Sequence, residues 1–222
     1  MRRETQERRS GDERREVPAT GARRSGRSRP RIVEGARDSF LERGYVGTTM
    51  EGIAERAGVA VQTVYYVFGT KHSVLAAVLD ASIVGDHDAV PLASRDWMGD
   101  LDTIADRDAA FTHVLDACVD ILDRTTPIYE VVCHASSDPE VHQLYAETRR
   151  RRRADQRTLV EVLHRHGHLR SDLDVDEAAD TFYALVNEET FSMLTGDCGW
   201  SRDRFRQWLE QVVRRTLAGG SP

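Results

Sequence analysis

Apolar residues recur along most of the chain at helical spacing. Ile32, Ala36 and Phe40 stand four apart, with Val33 and Leu41 beside them, and predict a helix over about 31–43 that Gly44 stops. Met50, Ile53, Ala54 and Ala57 share one face of a second helix closed by Gly58. A short third helix follows over about 60–67. Gly69 and Thr70 restart a fourth, in which Val74, Leu75, Val78 and Leu79 face inward. After Gly85 comes a looser stretch with Pro91 and Gly99, then helices over about 103–124, 127–135, 139–166, 174–196 and 201–218. Their starts carry capping signals: Asp138 before Pro139, Asp174 three residues before Glu177, and Ser201 after Cys198-Gly199-Trp200. No strand-like alternation and no internal repeat is visible, so the predicted fold class is all-α.

Charge changes the picture at one end. Residues 1–31 hold 11 arginines and five acids, a net of +6. The chain total is −6, so the other 191 residues carry −12. A basic segment on an acidic body suggests that this end meets a polyanion. Residues 1–29 are nearly free of large apolar groups and predict a disordered basic tail.

The remaining composition mainly excludes. The 222 residues suffice for one or two domains. Cys118, Cys133 and Cys198 are the only cysteines and form no CxxC pair, which excludes a disulfide framework and favours a reducing compartment. No run approaches the roughly 18 apolar residues of a membrane span. The charged N-terminus lacks a secretory signal's apolar centre. The expected location is cytoplasmic, with no membrane partner.

Two helices of about seven residues, joined by a glycine turn and preceded by a longer helix, form a helix-turn-helix, whose second helix fits the major groove of DNA. A capping box, Thr48-Thr49-Met50-Glu51, opens the first of the pair. Residues 31–79 resemble the TetR (tetracycline-repressor-like) family of bacterial transcription regulators. The resemblance lies in Thr48-Thr49-Met50-Glu51, Ile53-Ala54-Glu55-Arg56-Ala57-Gly58-Val59, Thr63-Val64-Tyr65-Tyr66 and Phe68-Gly69-Thr70-Lys71. After the tail of residues 1–29, it implies a DNA-binding domain over 30–78 and a helical ligand-binding and dimerisation domain over 79–222. It also implies a homodimer on a palindromic operator, released by a small-molecule effector.

Each residue type suits its expected role. Val64 and Phe68 should face the core, which turns Val61, Gln62, Tyr65 and Tyr66 outward. Gln62 can pair bidentately with adenine, and Val61 suits a thymine methyl. The resemblance carries Tyr65, Tyr66 and Lys71 to phosphates and brings Thr63 into the same interface. Thr48 and Thr49, at a helix N-terminus, are expected to add phosphate contacts. Three readings stay open: Tyr65 as an interhelical packing residue, Thr49 as a cap alone, and Gln62 as a merely exposed polar residue. The chain departs from the family pattern at Ala60, where a capping serine is usual, at Val67, where histidine is common, and at Gly52 inside a helix.

Phe111, Cys118, Tyr129, Cys133, Tyr145, Phe182, Tyr183 and Asn187 are the candidate effector-binding residues. Aromatic side chains with few polar groups suit a hydrophobic or aromatic molecule, and predict an apolar cavity among the later helices. The apolar helices 174–196 and 201–218 are expected to form a four-helix dimer interface that includes Leu209. His164, His166 and His168, with the cysteines, offer a metal- or thiol-responsive sensor as the alternative; no metal site or cofactor is assigned. The run Arg149 to Arg153 cannot stay on one helical face, so its members are either solvated, paired to acids or anion-binding. No GxSxG, P-loop, GxGxxG or HExxH occurs, and nothing in the sequence positions His113 with Asp116, or Glu188 with Glu189, as an acid–base pair. An enzyme is not expected.

Overall fold

The computed structural model describes residues 20–85 and 101–218; these are helices and their connections, with no strand. Residues 1–19 of the expected tail, the stretch 86–100 with Pro91 and Gly99, and the last four residues lie outside the described residues. In order the helices are α1 (Thr20–Gly47), α2 (Met50–Ala57), α3 (Val61–Phe68), α4 (Lys71–Val84), α5 (Arg107–His134), α6 (Pro139–Arg165), α7 (Val175–Leu185), α8 (Glu188–Ser192) and α9 (Arg202–Val213). Two π-helical turns, Met193–Asp197 and Arg214–Ala218, extend α8 and α9.

Most helix edges follow local chemistry. Gly44 has φ 67° and ψ 177°, which breaks the helical path of α1 where expected. The Thr49 hydroxyl accepts from the Gly52 amide at 3.1 Å and caps α2, and Gly58 closes it in the left-handed region. Ala60 leaves α3 without a side-chain cap. Thr70, Asp106, Asp138, Asp174 and Ser201 cap the starts of α4, α5, α6, α7 and α9.

Three boundaries differ from expectation. Residues 20–29, placed in the tail, are helical and run into α1 through Pro30. The helices expected at 103–124 and 127–135 are one helix, α5, that passes through Pro127. Pro127 removes one hydrogen bond, but Leu122 before it and Ile128 and Val132 after it are buried in two different cores, so packing holds both halves. The helix expected over 174–196 breaks at Val186, whose ψ is 81°, and Asn187 caps a new start.

Two apolar cores result. One unites Ile32, Phe40, Ile53, Val64, Phe68, Leu75 and Leu79 with Ile128 and Val132 of α5 and Val141 and Leu144 of α6. The helix-turn-helix is therefore rooted in the body beyond residue 78. Gly35 lets α1 and α2 cross closely: a Cβ there would lie 3.0 Å from the Ala57 nitrogen. The other core joins Phe111, Leu115, Leu163, Phe182, Phe205, Leu209 and Val213. Leu209 is fully buried inside this core, so it is not a surface contact for a second copy. The less buried apolar groups nearby are Met193, Leu194, Trp208 and Val212.

Candidate functional site

The first candidate surface is α3. Val64 and Phe68, four apart, are buried, and this turns Gln62, Tyr65 and Tyr66 to solvent. Tyr65 is 49% and Tyr66 79% exposed, so neither is consumed by packing between helices. Exposed phenols beside an exposed amide make a face that can read a base edge and touch phosphates. Val61 is half-buried against the core and Thr63 is half-buried, so both sit at the edge of this face.

Thr48 departs from its expected role. Its side chain is buried, and its hydroxyl lies 2.8 Å from the Gly44 carbonyl and 3.0 Å from that of Ser39. It holds the turn between α1 and α2 and is not turned toward a phosphate. Thr49 is exposed but uses its hydroxyl as the α2 cap. Lys71 donates to the carbonyls of Tyr45 at 2.7 Å and Thr48 at 2.9 Å, and lies 4.3 Å from the centre of the Tyr45 ring. Partial burial lowers its pKa. Two of its three N–H groups are thus committed within the protein.

The basic segment is also partly engaged. The Arg31 guanidinium donates to the Gly58 carbonyl at 3.2 Å, and that of Arg29 lies 4.7 Å from the centre of the Phe68 ring. Both brace the helix-turn-helix from α1. Arg56 and Glu42 tie α2 to α1 in a bidentate pair, an exposed contact that the sequence reading missed.

The eight candidate effector residues divide. Phe111, Cys118 and Phe182 are buried in the second core beside Leu115, Phe205 and Leu209, and serve its packing. Asn187 is a cap: its Oδ1 accepts from the Thr190 amide at 2.7 Å, and its Nδ2 donates to the Ala184 carbonyl at 2.8 Å. Tyr129, Tyr145 and Tyr183 do come together, with Cys133 beside them. The rings of Tyr129 and Tyr145 lie 5.6 Å apart.

The residues joining them were not assigned to the site from sequence. Arg152 reaches in from α6 with its guanidinium 5.1 Å from the Tyr183 ring centre and 5.6 Å from that of Tyr129. It forms an ion pair with buried Glu188 and another, at 3.4 Å, with Glu189. Tyr129 donates to Glu189 at 2.7 Å, and Arg149 donates to the Tyr183 hydroxyl at 3.2 Å. Burial alone would raise the Glu189 pKa, but the Tyr129 hydroxyl and the two arginines outweigh it and leave it lowered. Burial likewise opposes the net lowering of Tyr183, which the guanidiniums of Arg152 and Arg149 produce. The expected apolar lining is instead an aromatic cluster around a buried ion pair.

Two further arginines of the run find acids. Arg151 meets Asp80 of α4 at 3.0 Å, and Arg153 meets Asp180 of α7 at 2.6 Å. The acid-pairing reading holds for these positions. A cleft of about 500 Å³ also opens between the end of α1 and the second half of α5, lined by Leu41, Arg43, Tyr45, Val46, Pro127 and His134 among others.

The sensor alternative finds little geometry. Among the described residues no group of three or more His, Cys, Asp or Glu is disposed to hold a metal ion. His166 and His168 stack at 6.1 Å, and His164 is exposed. Burial pushes the Cys118 thiol up to about 12 and that of Cys133 up to about 11, which disfavours thiolate at neutral pH. No single helix among the described residues is long and apolar enough to cross a membrane.

Comparison with known proteins agrees with this architecture. Residues 32–78 match the bacterial regulatory proteins of the tetR family, and residues 108–218 match the C-terminal domain of BetI-type transcriptional repressors. The chain is 31% identical over 169 residues to the probable HTH-type transcriptional regulator ArpR of Pseudomonas putida, spanning 72% of this chain and 77% of that one. It is 30% identical, with the same coverage, to the HTH-type transcriptional regulator TtgR of Pseudomonas putida. A solved chain described as a transcriptional regulator from Saccharomonospora viridis, in complex with choline, superposes with a TM-score of 0.65 at 25% identity, covering 86% of this chain and 98% of that one. FadR of Bacillus subtilis, in complex with stearoyl-CoA, shares the fold with a TM-score of 0.65 at 17% identity, covering 86% and 99%. The chain belongs to the TetR family of bacterial transcriptional regulators, as a DNA-binding helix-turn-helix joined to a helical C-terminal domain.

Proposed function

We propose that the protein is a cytoplasmic homodimeric repressor that holds a palindromic operator and releases it when a small molecule enters the C-terminal domain. The observation that carries this reading is the outward face of α3, where Gln62, Tyr65 and Tyr66 stand exposed over a buried Val64 and Phe68. A dimer would place two such faces about 34 Å apart, one turn of DNA. The effector enters among Tyr129, Cys133, Tyr145 and Tyr183, whose rings suit a molecule with apolar or aromatic surface. That one structural neighbour carries choline and another stearoyl-CoA supports an effector domain here without selecting a ligand class.

The coupling element is α4. It is buried on several sides through Val74, Leu75, Ala77, Val78 and Leu79, so it cannot move independently of either domain. Asp80 links it to α6 through Arg151, and its Ser82 carbonyl accepts from Arg124 of α5 at 3.3 Å. A ligand that favours another spacing of the two α3 helices drains the operator-bound population. Selection of bound duplexes from a random DNA library tests the reading. The expected product is an inverted repeat with half-sites about one helical turn apart. Failure to enrich any sequence overturns it.

A further inference from the structure

We infer that the N-terminal end of α3 reads adenine–thymine base pairs in each half of the operator: Gln62 takes an adenine, and the uncapped Ala60, with Val61, packs on thymine methyl groups. The inference rests on the regulator reading above and names the base composition that its DNA must carry.

The residues of a helix-turn-helix that meet base edges lie at the start of its second helix. Here that start is Ala60, Val61, Gln62 and Thr63. Ala60 and Gln62 are exposed, and Val61 and Thr63 are half-buried at the rim of the same face. The reading end is therefore one amide set among aliphatic carbon and a hydroxyl. From Val61 to Phe68, α3 holds no charged side chain.

That chemistry separates the purines. Guanine offers two acceptors in the major groove, N7 and O6, and its bidentate partner is a side chain that only donates, arginine or lysine. Adenine offers an acceptor at N7 and a donor at N6, which an amide matches with its N–H and its oxygen. Turned to guanine, the Gln62 oxygen would face another acceptor. Basic groups of the module are held elsewhere. Arg29 lies on the Phe68 ring, Arg31 donates to the Gly58 carbonyl, Arg56 pairs with Glu42, and Lys71 donates to the Tyr45 and Thr48 carbonyls. Arg43 reaches the α2 side, where its Nη1 lies 3.5 Å from where a Cβ at Gly52 would stand.

Thymine follows from Ala60. Thr49 and Thr70 cap α2 and α4 by accepting from backbone amides, whereas Ala60 leaves α3 without a side-chain cap. A hydroxyl at this position would stabilise the helix. Alanine provides instead an exposed methyl at the end of α3 that approaches the bases, and alanine is among the side chains that suit the thymine methyl. Val61 beside it extends the same apolar surface. Cytosine, lacking the methyl, leaves this surface without its partner.

Selection from a random duplex library by the full-length chain, repeated with Gln62→Ala, tests this. The parent should enrich an operator, and Gln62→Ala should lose the preference at one position per half-site, an adenine. Replacing that adenine by 7-deazaadenine, which lacks the N7 acceptor, should weaken the parent about tenfold and Gln62→Ala hardly at all. Replacing the neighbouring thymines by uracil removes only the methyl groups, and should weaken the parent about fourfold for each methyl buried. Ala60→Ser should raise the melting temperature by supplying the cap, yet reduce the discrimination of thymine from uracil. The base analogues act on the unaltered protein, so a variant that does not fold leaves the test standing. A preference lost at guanine or cytosine, an unchanged selection by Gln62→Ala, equal weakening of both proteins by 7-deazaadenine, or binding indifferent to uracil overturns the inference and leaves the regulator intact. Full thymine discrimination in Ala60→Ser overturns the role of Ala60. A chain that enriches no sequence overturns the regulator reading, and this inference with it.

Discussion

The Lys71 ammonium donates to the backbone carbonyl of Tyr45 at 2.7 Å, across 26 residues of chain, while the Tyr45 ring lies beneath it. This contact, with a second to the Thr48 carbonyl, fastens the first turn of α4 to the junction between α1 and α2. Family resemblance pointed this lysine at phosphate; the fold makes it a strap between the DNA-reading module and the helix that leads to the effector domain.

Lys71→Met should therefore cost about 1–3 kcal/mol of stability, the range for losing hydrogen bonds to a charged donor. Urea denaturation reads this directly. Unchanged stability, with a DNA-binding salt slope flatter by about 0.9, would return Lys71 to the phosphate role.

Gln62→Ala should weaken binding to the selected operator by about 1–3 kcal/mol and leave binding to random duplex nearly unchanged. Fluorescence anisotropy on both DNAs decides it. Equal losses would remove Gln62 as a base reader and leave the exposed tyrosines as nonspecific contacts.

Dimerisation separates two residues that look alike in sequence. Leu209 is fully buried within the protomer, so Leu209→Arg should unfold the C-terminal domain rather than yield monomers. Met193 is 51% exposed beside Leu194, so Met193→Arg should yield folded monomers. Sedimentation with circular dichroism distinguishes these outcomes. A parent chain already monomeric at micromolar concentration would exclude the proposed interface.

His168 gives a pH prediction. It is buried, and burial, reinforced by His166, lowers its pKa from the ordinary 6.5, against the opposing hydrogen bond with the Ile104 backbone. Below about 6.5 the unfolded chain takes up this proton first, so stability falls as pH drops until the folded His168 also protonates. Above that range the group contributes no slope. His168→Leu should reduce the fall in urea midpoint between about pH 7.5 and 5. An undiminished fall would assign the acid sensitivity to other groups.

The basic segment provides the last test. Arg29 and Arg31 are held against Phe68 and Gly58; the test falls on Arg23, Arg24 and Arg27, the other three of the five arginines just before the helix-turn-helix, whose side chains lie outside the described residues. Deleting residues 1–27 should flatten the salt slope by about 1.8 if two of them meet phosphates. An unchanged slope would make the segment a bystander.

The sequence by itself determined the all-α class and the helix-turn-helix, because both follow from local rules. The spacing of Met50, Ile53, Ala54 and Ala57 defines a buried face, Thr49 and Gly58 bound the helix, and Val64 with Phe68 turns Gln62 outward. Tertiary structure decided which polar groups meet. Arg149 to Arg153 and Glu188-Glu189 were visible as two charged runs, but no local rule relates positions 36 residues apart on different helices. Only the packing of α5, α6 and α8 brings Arg152 between Tyr129 and Glu188. The same holds for Thr48, Lys71, Asn187 and Leu209. Their types allowed a surface role; Asn187 and Thr48 instead spend their side chains on backbone groups of their own segments, while the distant Tyr45 carbonyl held by Lys71 and the burial of Leu209 depend on how helices cross, which periodicity along one helix does not encode.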